Sequence, residues 1–363
     1  MTMKQFGRVA AFAAVTSTMA LTTAAQGQWT VTNLNPAGAT VSYAYAAGGG
    51  QQVGETLVGG VTRASLWSGT AASWVDLNPA GAQYSRAHAA SSGQQVGTAT
   101  INWVNRASLW SGTADSWVDL SPAGATDSRA YAISGGQQAG QAYVGGQYRA
   151  SLWSSTAASW VDLNPAGSTN SIAYAISGGQ QAGWASVGGR YHAGLWSGTA
   201  ASWVDLHPAG SVESFASAIS GGQQAGYARV GGTYHASLWS GTAASWVNLN
   251  PLGANYSYVF HMSDGQQAGY AGVGGVSRAS LWSGTADSWV DLSAFLPTGF
   301  TNSYAEGISS DGVNTYVAGW GYNTITNRNE ALLWTRPIPT PGVTGLLGLG
   351  GVVALRRRRG VGR

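Results

Sequence analysis

Hydrophobic and polar residues along this chain form a unit of 43 residues that recurs in a fixed order. The dipeptide Leu-Trp marks each unit, and six of its tryptophans follow one another at 43-residue intervals: Trp67, Trp110, Trp153, Trp196, Trp239 and Trp282. A second tryptophan follows each of these after seven residues: Trp74, Trp117, Trp160, Trp203, Trp246 and Trp289. A seventh Leu-Trp ends at Trp334, after a step of 52 residues and without the second tryptophan. The chain therefore holds seven related units, of which the last is incomplete.

Each unit divides into four short runs that are rich in aromatic and aliphatic residues. In one unit the runs cover residues 129–133, 138–144, 148–153 and 159–163, and Gly, Ser, Asn and Pro separate them. Such runs between turn residues are typical of antiparallel strands, and no stretch shows the spacing of apolar residues that a helix needs. Four strands in about 40–45 residues is the size of one propeller blade.

The part that the seventh unit lacks lies at the N-terminus. Residues 31–36 align with residues 74–79, with Val in place of the second tryptophan. A β-solenoid is the main alternative fold, but it has no reason to begin within a repeat, whereas a ring must join its ends and removes its exposed edges by doing so. We therefore predict an all-β, seven-bladed β-propeller of four-stranded antiparallel blades over residues 26–336. We expect residues 31–35 to complete the last blade beside residues 330–334.

A charged or polar residue on the third strand of each unit has a partner at a fixed distance along the chain. Arg or His stands four residues before the Leu-Trp tryptophan in six units, and Asp or Asn stands nine residues after it. The seventh unit has Glu at the first position, and the N-terminal segment supplies Asn for the second. We interpret these as structural cross-strand pairs, because catalysis needs one constellation rather than seven copies. The pairs are Arg63–Asp76, Arg106–Asp119, Arg149–Asp162, His192–Asp205, His235–Asn248, Arg278–Asp291 and Glu330–Asn33.

The two repeated tryptophans are interpreted as core residues, because large rings can fill a space that widens between blades away from the ring axis. A carbohydrate-stacking role would require rings on a surface. Three further tryptophans lie within blades but outside the repeated positions, and we expect surface rings only there: Trp103, Trp184 and Trp320.

The units differ most on the innermost strand, where binding residues can be sought. One position reads Tyr45, His88, Tyr131, Tyr174, Ser217, Phe260 and Glu306 around the ring, and the position two residues earlier reads Tyr43, Arg86, Arg129, Ile172, Phe215, Tyr258 and Tyr304. Alternation places both on one face of the strand. If that face lines the channel, it can bind a sugar or peptide; packing between blades is the alternative. The ligand-binding candidates are Tyr45, His88, Tyr131, Tyr174 and Glu306. Acid–base chemistry is open to His88 and Glu306 only if they converge across the channel.

Composition and charge exclude several classes of partner and site. The chain has 17 Lys and Arg against 14 Asp and Glu, but the excess lies in the two tails. Residues 29–334 hold nine Arg, no Lys and all the acidic residues, so their formal charge is 9 − 14 = −5, and a nucleic-acid partner is not expected. Cysteine is absent, and the five histidines form no pair at the spacing of metal ligands. We expect no metal and no cofactor.

Both tails carry the features of targeting segments. Residues 1–25 combine Lys4 and Arg8, an apolar run and a Thr-Ala-Ala cleavage site, which predicts a secretory signal peptide. Residues 337–363 combine a Pro-rich spacer, an apolar segment and four consecutive Arg. This order resembles the bacterial PEP-CTERM sorting signal, although Thr340 stands where that motif has Glu. A simple C-terminal membrane anchor is the alternative, and four Arg would hold this end on the cytoplasmic side.

The repeat itself resembles the bacterial extracellular HAF repeat. Residues 130–140 and the segment Tyr-His-Ala-Ser-Leu-Trp at residues 234–239 carry the resemblance, which spans all seven units. The family is named for a His-Ala-Phe tripeptide before Leu-Trp; this chain has Ser or Gly in place of Phe, and Arg in place of His in four units. The family has no established reaction, so the resemblance implies export and a propeller-like repeat and nothing catalytic.

Three functions remain open at this point. The favoured one is an exported, non-enzymatic and monomeric protein of the cell surface or extracellular matrix, whose propeller binds a polysaccharide or a surface protein. It would contact the membrane only through its C-terminal segment. The second is a purely architectural envelope protein, and the third is a secreted hydrolase or lyase active on glycans. The fold alone does not separate them, because propellers serve many roles.

Overall fold

Seven separate sheets form the part of the protein that the computed structural model describes, residues 28–339. The predicted signal peptide and nearly all of the predicted C-terminal segment lie outside these residues. Each sheet has four antiparallel strands, and each packs against the next one along the chain. The predicted seven-bladed β-propeller is therefore confirmed. Among residues 28–339 no helix has the length and apolar character needed to span a membrane.

The strands follow one another in chain order within each blade, from the innermost outward. Blades 1 to 3 consist of β2 Ala39–Gly48, β3 Gln51–Val58, β4 Val61–Trp67 and β5 Val75–Asp76; β6 Ala82–Ser91, β7 Gln94–Ile101, β8 Val104–Trp110 and β9 Val118–Asp119; β10 Asp127–Ser134, β11 Gln137–Val144, β12 Gln147–Trp153 and β13 Val161–Asp162. Blades 4 to 6 consist of β14 Ser171–Ser177, β15 Gln180–Val187, β16 Arg190–Trp196 and β17 Val204–Asp205; β18 Ser214–Ser220, β19 Gln223–Val230, β20 Thr233–Trp239 and β21 Val247–Asn248; β22 Tyr256–Ser263, β23 Gln266–Val273, β24 Val276–Trp282 and β25 Val290–Asp291. Blade 7 consists of β26 Phe300–Ser310, β27 Asn314–Asn323, β28 Arg328–Pro337 and, as its outer strand, β1 Thr30–Asn33.

The ring is closed by the N-terminal strand. β1 pairs antiparallel with β28, with Val31 opposite Trp334 and Asn33 opposite Leu332. The next residue, Leu34, donates its backbone N–H to the carbonyl of Ala331 at 2.8 Å. The predicted closure is therefore confirmed. Strand β28 continues one residue past the predicted boundary at residue 336.

The fourth strand of each blade is shorter than the sequence pattern suggested. In blade 3 the predicted strand at residues 159–163 is reduced to β13, because residues 157–159 form a 3-10 turn. The hydroxyl of Ser159 holds this turn: it accepts from the N–H of Ser154 at 2.8 Å and donates to the carbonyl of Thr156 at 2.6 Å. An alternating pattern does not reveal such a turn, because the same residue types suit both.

The Leu-Trp tryptophans form the core between blades, as predicted. All seven have 0% exposure. Trp196 of blade 4, for example, packs in one cluster with Leu152 and Leu163 of blade 3. Each tryptophan therefore joins its own sheet to the preceding one, and its burial contributes to the stability of the ring rather than of a single blade.

A buried serine adds a polar link between neighbouring blades. In blade 4 the hydroxyl of Ser171 accepts from the backbone N–H of Ala150 in blade 3 at 2.9 Å, and it donates to Asn164 at 2.6 Å. The same bond from a backbone N–H to a serine recurs at every interface between blades. Its acceptors are Ser42, Ser85, Ser128, Ser171, Ser214, Ser257 and Ser303.

The predicted cross-strand pairs are present in all seven blades. Arg63, Arg106, Arg149 and Arg278 contact their Asp partners at 2.5–2.8 Å. His192 contacts Asp205 at 2.8 Å, and His235 contacts Asn248 at 3.0 Å. In blade 7 the carboxylate of Glu330 accepts from Asn33 at 2.7 Å, and Asn323, Thr326 and Arg328 also donate to it. Glu330 is 1% exposed, whereas its partner Asn33 is exposed.

The exposed pairs are expected to contribute little to stability. For Arg149→Ala, Asp162→Ala and the double variant, we expect a coupling energy of about 0.2–1 kcal/mol, because both side chains are partly solvated. Their exposed fractions are 28% and 31%. Urea unfolding of the three variants measures this energy. Strictly additive effects would show that the contact contributes nothing.

Candidate functional site

A β-bulge at one position of every innermost strand builds the central channel. In β10 the pairing with β11 shifts between Ala130 and Ala132, so that Tyr131 is left without a partner. A bulge turns the extra side chain away from the regular alternation. The same shift occurs in all seven blades, and the bulged residues are Tyr45, His88, Tyr131, Tyr174, Ser217, Phe260 and Glu306.

The geometry of each bulge requires a glycine on the strand that pairs with it. A Cβ atom on Gly140 of β11 would lie 2.0 Å from the carbonyl oxygen of Arg129. The equivalent glycines of the other blades meet the same obstruction, at 1.8–2.0 Å. Only a residue without a side chain fits there, since such a contact is far inside the van der Waals distance.

The bulged residues line a cavity of about 540 Å³. Below we call the end of the channel where the innermost strands begin its N-terminal end, and the other its C-terminal end. The cavity reaches the C-terminal end, because the last residues of four innermost strands also line it: Ser91, Ser134, Ser177 and Ser220. Four consecutive bulged rings, Tyr45, His88, Tyr131 and Tyr174, form a row with centroids 5.3–6.1 Å apart. Of the two positions chosen from the sequence, the bulged one therefore lines this cavity.

His88 and Glu306 belong to the same ring of residues but are not brought together. His88 belongs to blade 2 and Glu306 to blade 7, and Tyr45 of blade 1 lies between them around the channel. His88 Nε2 is 3.4 Å from the hydroxyl of Thr98, and Glu306 Oε1 accepts from the indole N–H of Trp320 at 3.1 Å. The convergence on which acid–base chemistry depended is therefore not observed.

Burial shifts the pKa of His88 and the pKa of Glu306, in each case in the direction that favours the neutral form. Burial, and after it the charges of Arg86 and Arg129, lowers the pKa of His88 to about 3. Burial raises the pKa of Glu306 to about 7, and the bond from Trp320 offsets only part of this. At neutral pH the channel therefore holds a neutral imidazole and a carboxyl group near the middle of its titration.

A continuous row of aromatic rings lies on the other side of the bulges, toward the N-terminal end. It occupies the position two residues before the bulge and the paired position on the second strand. Neighbouring rings along it have centroids 4.0–6.2 Å apart. We call this row the aromatic arc, and it consists of Trp184, Phe215, Tyr227, Tyr258, Tyr270, Tyr304, Trp320 and Tyr43.

Both of these positions are polar in blades 2 and 3, whereas blade 1 combines Tyr43 of the arc with Glu55. Arg86 forms an ion pair with Glu55, and Arg129 contacts Asp127 at 3.4 Å. A small cavity of about 90 Å³ lies beside both arginines. Burial raises the pKa of Glu55, although Arg86 opposes this shift. The N-terminal end of the channel is thus aromatic from blade 4 round to Tyr43 of blade 1, and polar from Glu55 of blade 1 to blade 3.

The three tryptophans outside the repeat have different environments. Trp103 is 79% exposed at the tip of a hairpin, where its φ of 63° is unusual for a residue with a large side chain. Trp320 is half-buried in the aromatic arc, stacked on Tyr304. Trp184 is only 8% exposed, so the expectation of a surface ring is wrong for it. The reason is that Tyr191 and Phe215 cover it.

Sequence reasoning missed two of the four second-strand members of the aromatic arc, Tyr227 and Tyr270. The signal that could have located it is the strand glycine, Gly226 or Gly269, just before each of these residues. A glycine inside a strand indicates a bulge opposite, and the bulge defines which neighbouring positions face the channel. Among residues 28–339 no cluster of three His, Asp or Glu side chains is arranged to hold a metal ion.

No family model matches the chain, and no curated protein does. Among solved structures, the propeller domain of the Trilobed protease from Pyrococcus furiosus is similar over 82% of this chain and 97% of its own length, with 9% identity and a TM-score of 0.49. TolB from Acinetobacter baumannii is similar over 70% of this chain, with 10% identity and a TM-score of 0.45, and the match covers 64% of TolB. Acylaminoacyl peptidase from Pyrococcus horikoshii is similar over 88% of this chain and 55% of its own length, with 8% identity and a TM-score of 0.46. These likenesses concern the propeller fold and carry no information about a ligand or a reaction.

Proposed function

We propose that this protein is an exported, non-enzymatic component of the cell surface or extracellular matrix, whose propeller binds polysaccharide along the aromatic arc. The observation that carries the proposal is the row of eight rings in contact, which covers blades 4 to 7 and ends at Tyr43 of blade 1. Packing between blades does not by itself require these rings, because blades 2 and 3 fill both positions with polar side chains.

Partly exposed aromatic rings suit the apolar C–H faces of sugar rings. The members of the arc other than Trp184 are half-buried, so part of each ring remains available to a ligand. Tyr191 extends the arc outward: it is 43% exposed and lies 4.6 Å from Trp184 between ring centroids. Large, rigid rings provide contact area at a small cost in conformational entropy. The charged groups on the opposite side, Arg86 and Glu55, can orient a polar ligand across the channel.

Export is proposed from the two tails. Residues 1–25 have the order of a secretory signal, and residues 337–363 have the order of a sorting signal or anchor. Determining the N-terminal residue of the protein isolated from its native cells tests the first part. A mature chain that starts near Gln26 supports export, and a chain that retains Met1 contradicts it.

Binding is tested with the purified protein and a set of soluble polysaccharides of different sugar composition and charge, by titration calorimetry at pH 7. We expect Tyr191→Ala to weaken binding about tenfold or more, because the loss of an aromatic anchor typically costs about 1.4 kcal/mol or more. The matched control is Tyr148→Ala, which removes the ring at the same strand position in blade 3, away from the arc. We expect its affinity to stay within about twofold of the unmodified protein.

The other outcomes separate the competing functions. Release of shortened sugars during the incubation would show a hydrolase or lyase, and the absence of binding to any polysaccharide would favour a purely architectural role. Equal losses in Tyr191→Ala and Tyr148→Ala would show that the arc is not the binding surface.

A further inference from the structure

We propose that the channel cavity at the C-terminal end is a second, separate binding site, and that it takes a small organic cation such as an alkylammonium or quaternary ammonium group. This site lies on the other side of the bulged residues from the aromatic arc, with which it shares one residue, Tyr227. It does not depend on the proposed binding of polysaccharide.

The cavity has the size of a small-molecule site. Its volume of about 540 Å³ lies within the range of about 300–1,000 Å³ that is usual for such sites. Its wall consists largely of Ala, Ile and Ser from the ends of the innermost strands, among them Ile133, Ile176 and Ile219. These side chains leave room around the axis of the propeller. The aromatic side chains and the carboxyl group of Glu306 lie at the inner end of the cavity.

The charge of the lining favours a cation. Glu306 is the only acidic residue that lines the cavity, and no Arg or Lys lines it. His88 and His261 also line it, but burial lowers the pKa of each, so both imidazoles are neutral near pH 7. An anion would therefore meet a carboxylate and no positively charged side chain in the lining, whereas a cation would neutralise that carboxylate.

The aromatic residues of the lining strengthen this preference. Tyr45, Tyr131, Tyr174, Tyr227 and Phe260 all contribute to the cavity. A ring face attracts a cation within about 6 Å of its centroid, by about 0.5–1 kcal/mol at exposed sites and about 2 kcal/mol or more where water is excluded. Several rings around one carboxylate are the arrangement that holds quaternary ammonium groups.

Binding of a cation is expected to depend on pH in a definite direction. The pKa of Glu306 is raised to about 7 by burial, so the carboxylate form becomes rarer as the pH falls from 8 to 6. The phenols of Tyr45 and Tyr270 stay neutral across this interval, because burial raises the pKa of each, and burial also lowers the pKa of His261, which opposes its protonation as the pH falls. The affinity for a cation should therefore fall about tenfold between pH 8 and pH 6, as the binding-competent fraction falls.

The experiment compares choline with 3,3-dimethyl-1-butanol, which has nearly the same shape but no charge, by titration calorimetry on the unmodified full-length protein. We expect choline to bind at least ten times more tightly than the neutral alcohol at pH 8, and to lose about tenfold in affinity at pH 6. Glu306→Gln should reduce choline binding by tenfold or more and remove its pH dependence. The control Asp115→Asn removes an exposed charge far from the channel and should change neither quantity.

The first comparison needs no variant, so it stands even if Glu306→Gln fails to fold. Equal affinity for choline and the alcohol would overturn the proposal and identify a site for neutral ligands. Binding that strengthens as the pH falls, or the absence of choline binding at millimolar concentration, would overturn it as well. None of these results bears on the polysaccharide experiment, because the two probes differ and the residues substituted in the two experiments, Glu306 and Tyr191, belong to different sites.

Discussion

Leu34→Ala is expected to destabilise the whole propeller by about 2–5 kcal/mol, as large a loss as a leucine in the middle of the ring would cause. Leu34 lies just after β1 and has 0% exposure. It packs in one cluster with Trp67 of blade 1 and Leu333 of blade 7. Removing its side chain leaves a cavity at the point where the two ends of the chain meet.

The matched control for this prediction is Leu163→Ala in blade 3. Leu163 also has 0% exposure, and its N–H donates to Ala150 at 2.8 Å, as that of Leu34 donates to Ala331. Urea unfolding of both variants gives the two free energies. We expect similar losses. A large loss for Leu163→Ala together with almost none for Leu34→Ala would show that the N-terminal strand does not hold the ring closed in solution.

Gly140→Ala is expected to destabilise the protein by about 3 kcal/mol or more, at the upper end of what overpacking usually costs. The added Cβ would lie 2.0 Å from the carbonyl oxygen of Arg129 and 3.0 Å from Cα of Ala130. Both are backbone atoms of the neighbouring strand, so the two strands must separate. Because the bulge is lost or distorted, Tyr131 should also leave its place in the channel. Urea unfolding measures the first effect.

Gly194→Ser provides the contrast, since a Cβ there would also lie close to another atom, 2.1 Å from Nε1 of Trp203. That neighbour is a side chain rather than backbone. The equivalent residue of the first, second, third, fifth and sixth blades is Ser, whose hydroxyl accepts from the indole at 2.8–2.9 Å: Ser65, Ser108, Ser151, Ser237 and Ser280. We therefore expect Gly194→Ser to stabilise the protein by about 1 kcal/mol, through the added bond and the loss of glycine's freedom in the unfolded chain. If both glycine variants are destabilised alike, the bulge does not account for Gly140.

Much of the architecture was predictable because its signals are repeated or local. The 43-residue period counts the blades, and the offset between the N-terminal segment and the repeat predicts the pairing of β1 with β28. The pairs such as Arg63–Asp76 were predictable for the same reason, because the spacing is constant while the residue types change together. In blade 7 the change from Arg to Glu330 is accompanied by Asn33, as the pair requires.

The candidate site was less accessible to sequence reasoning. Alternation assumes that every residue of a strand is paired, so it does not show that Tyr131 is an extra residue in β10. The position of the rings in the channel follows from that bulge. The burial of Trp184 depends on Tyr191, from another strand, and on Phe215, from another blade. The pattern of a single repeat does not reveal such contacts.

The buried carboxylate of Glu330 also restricts which strands can pair with β28 where the ring closes. Fourth strands from five other units carry Asp at the exposed position of Asn33, and each would bring a second negative charge against the buried carboxylate of Glu330. Like charges placed opposite each other on paired strands are destabilising. The edge of β28 thus discriminates against strands exchanged from neighbouring molecules and against closure in the wrong register. A chain built of near-identical units is in this way directed toward self-contained rings rather than toward linear assemblies.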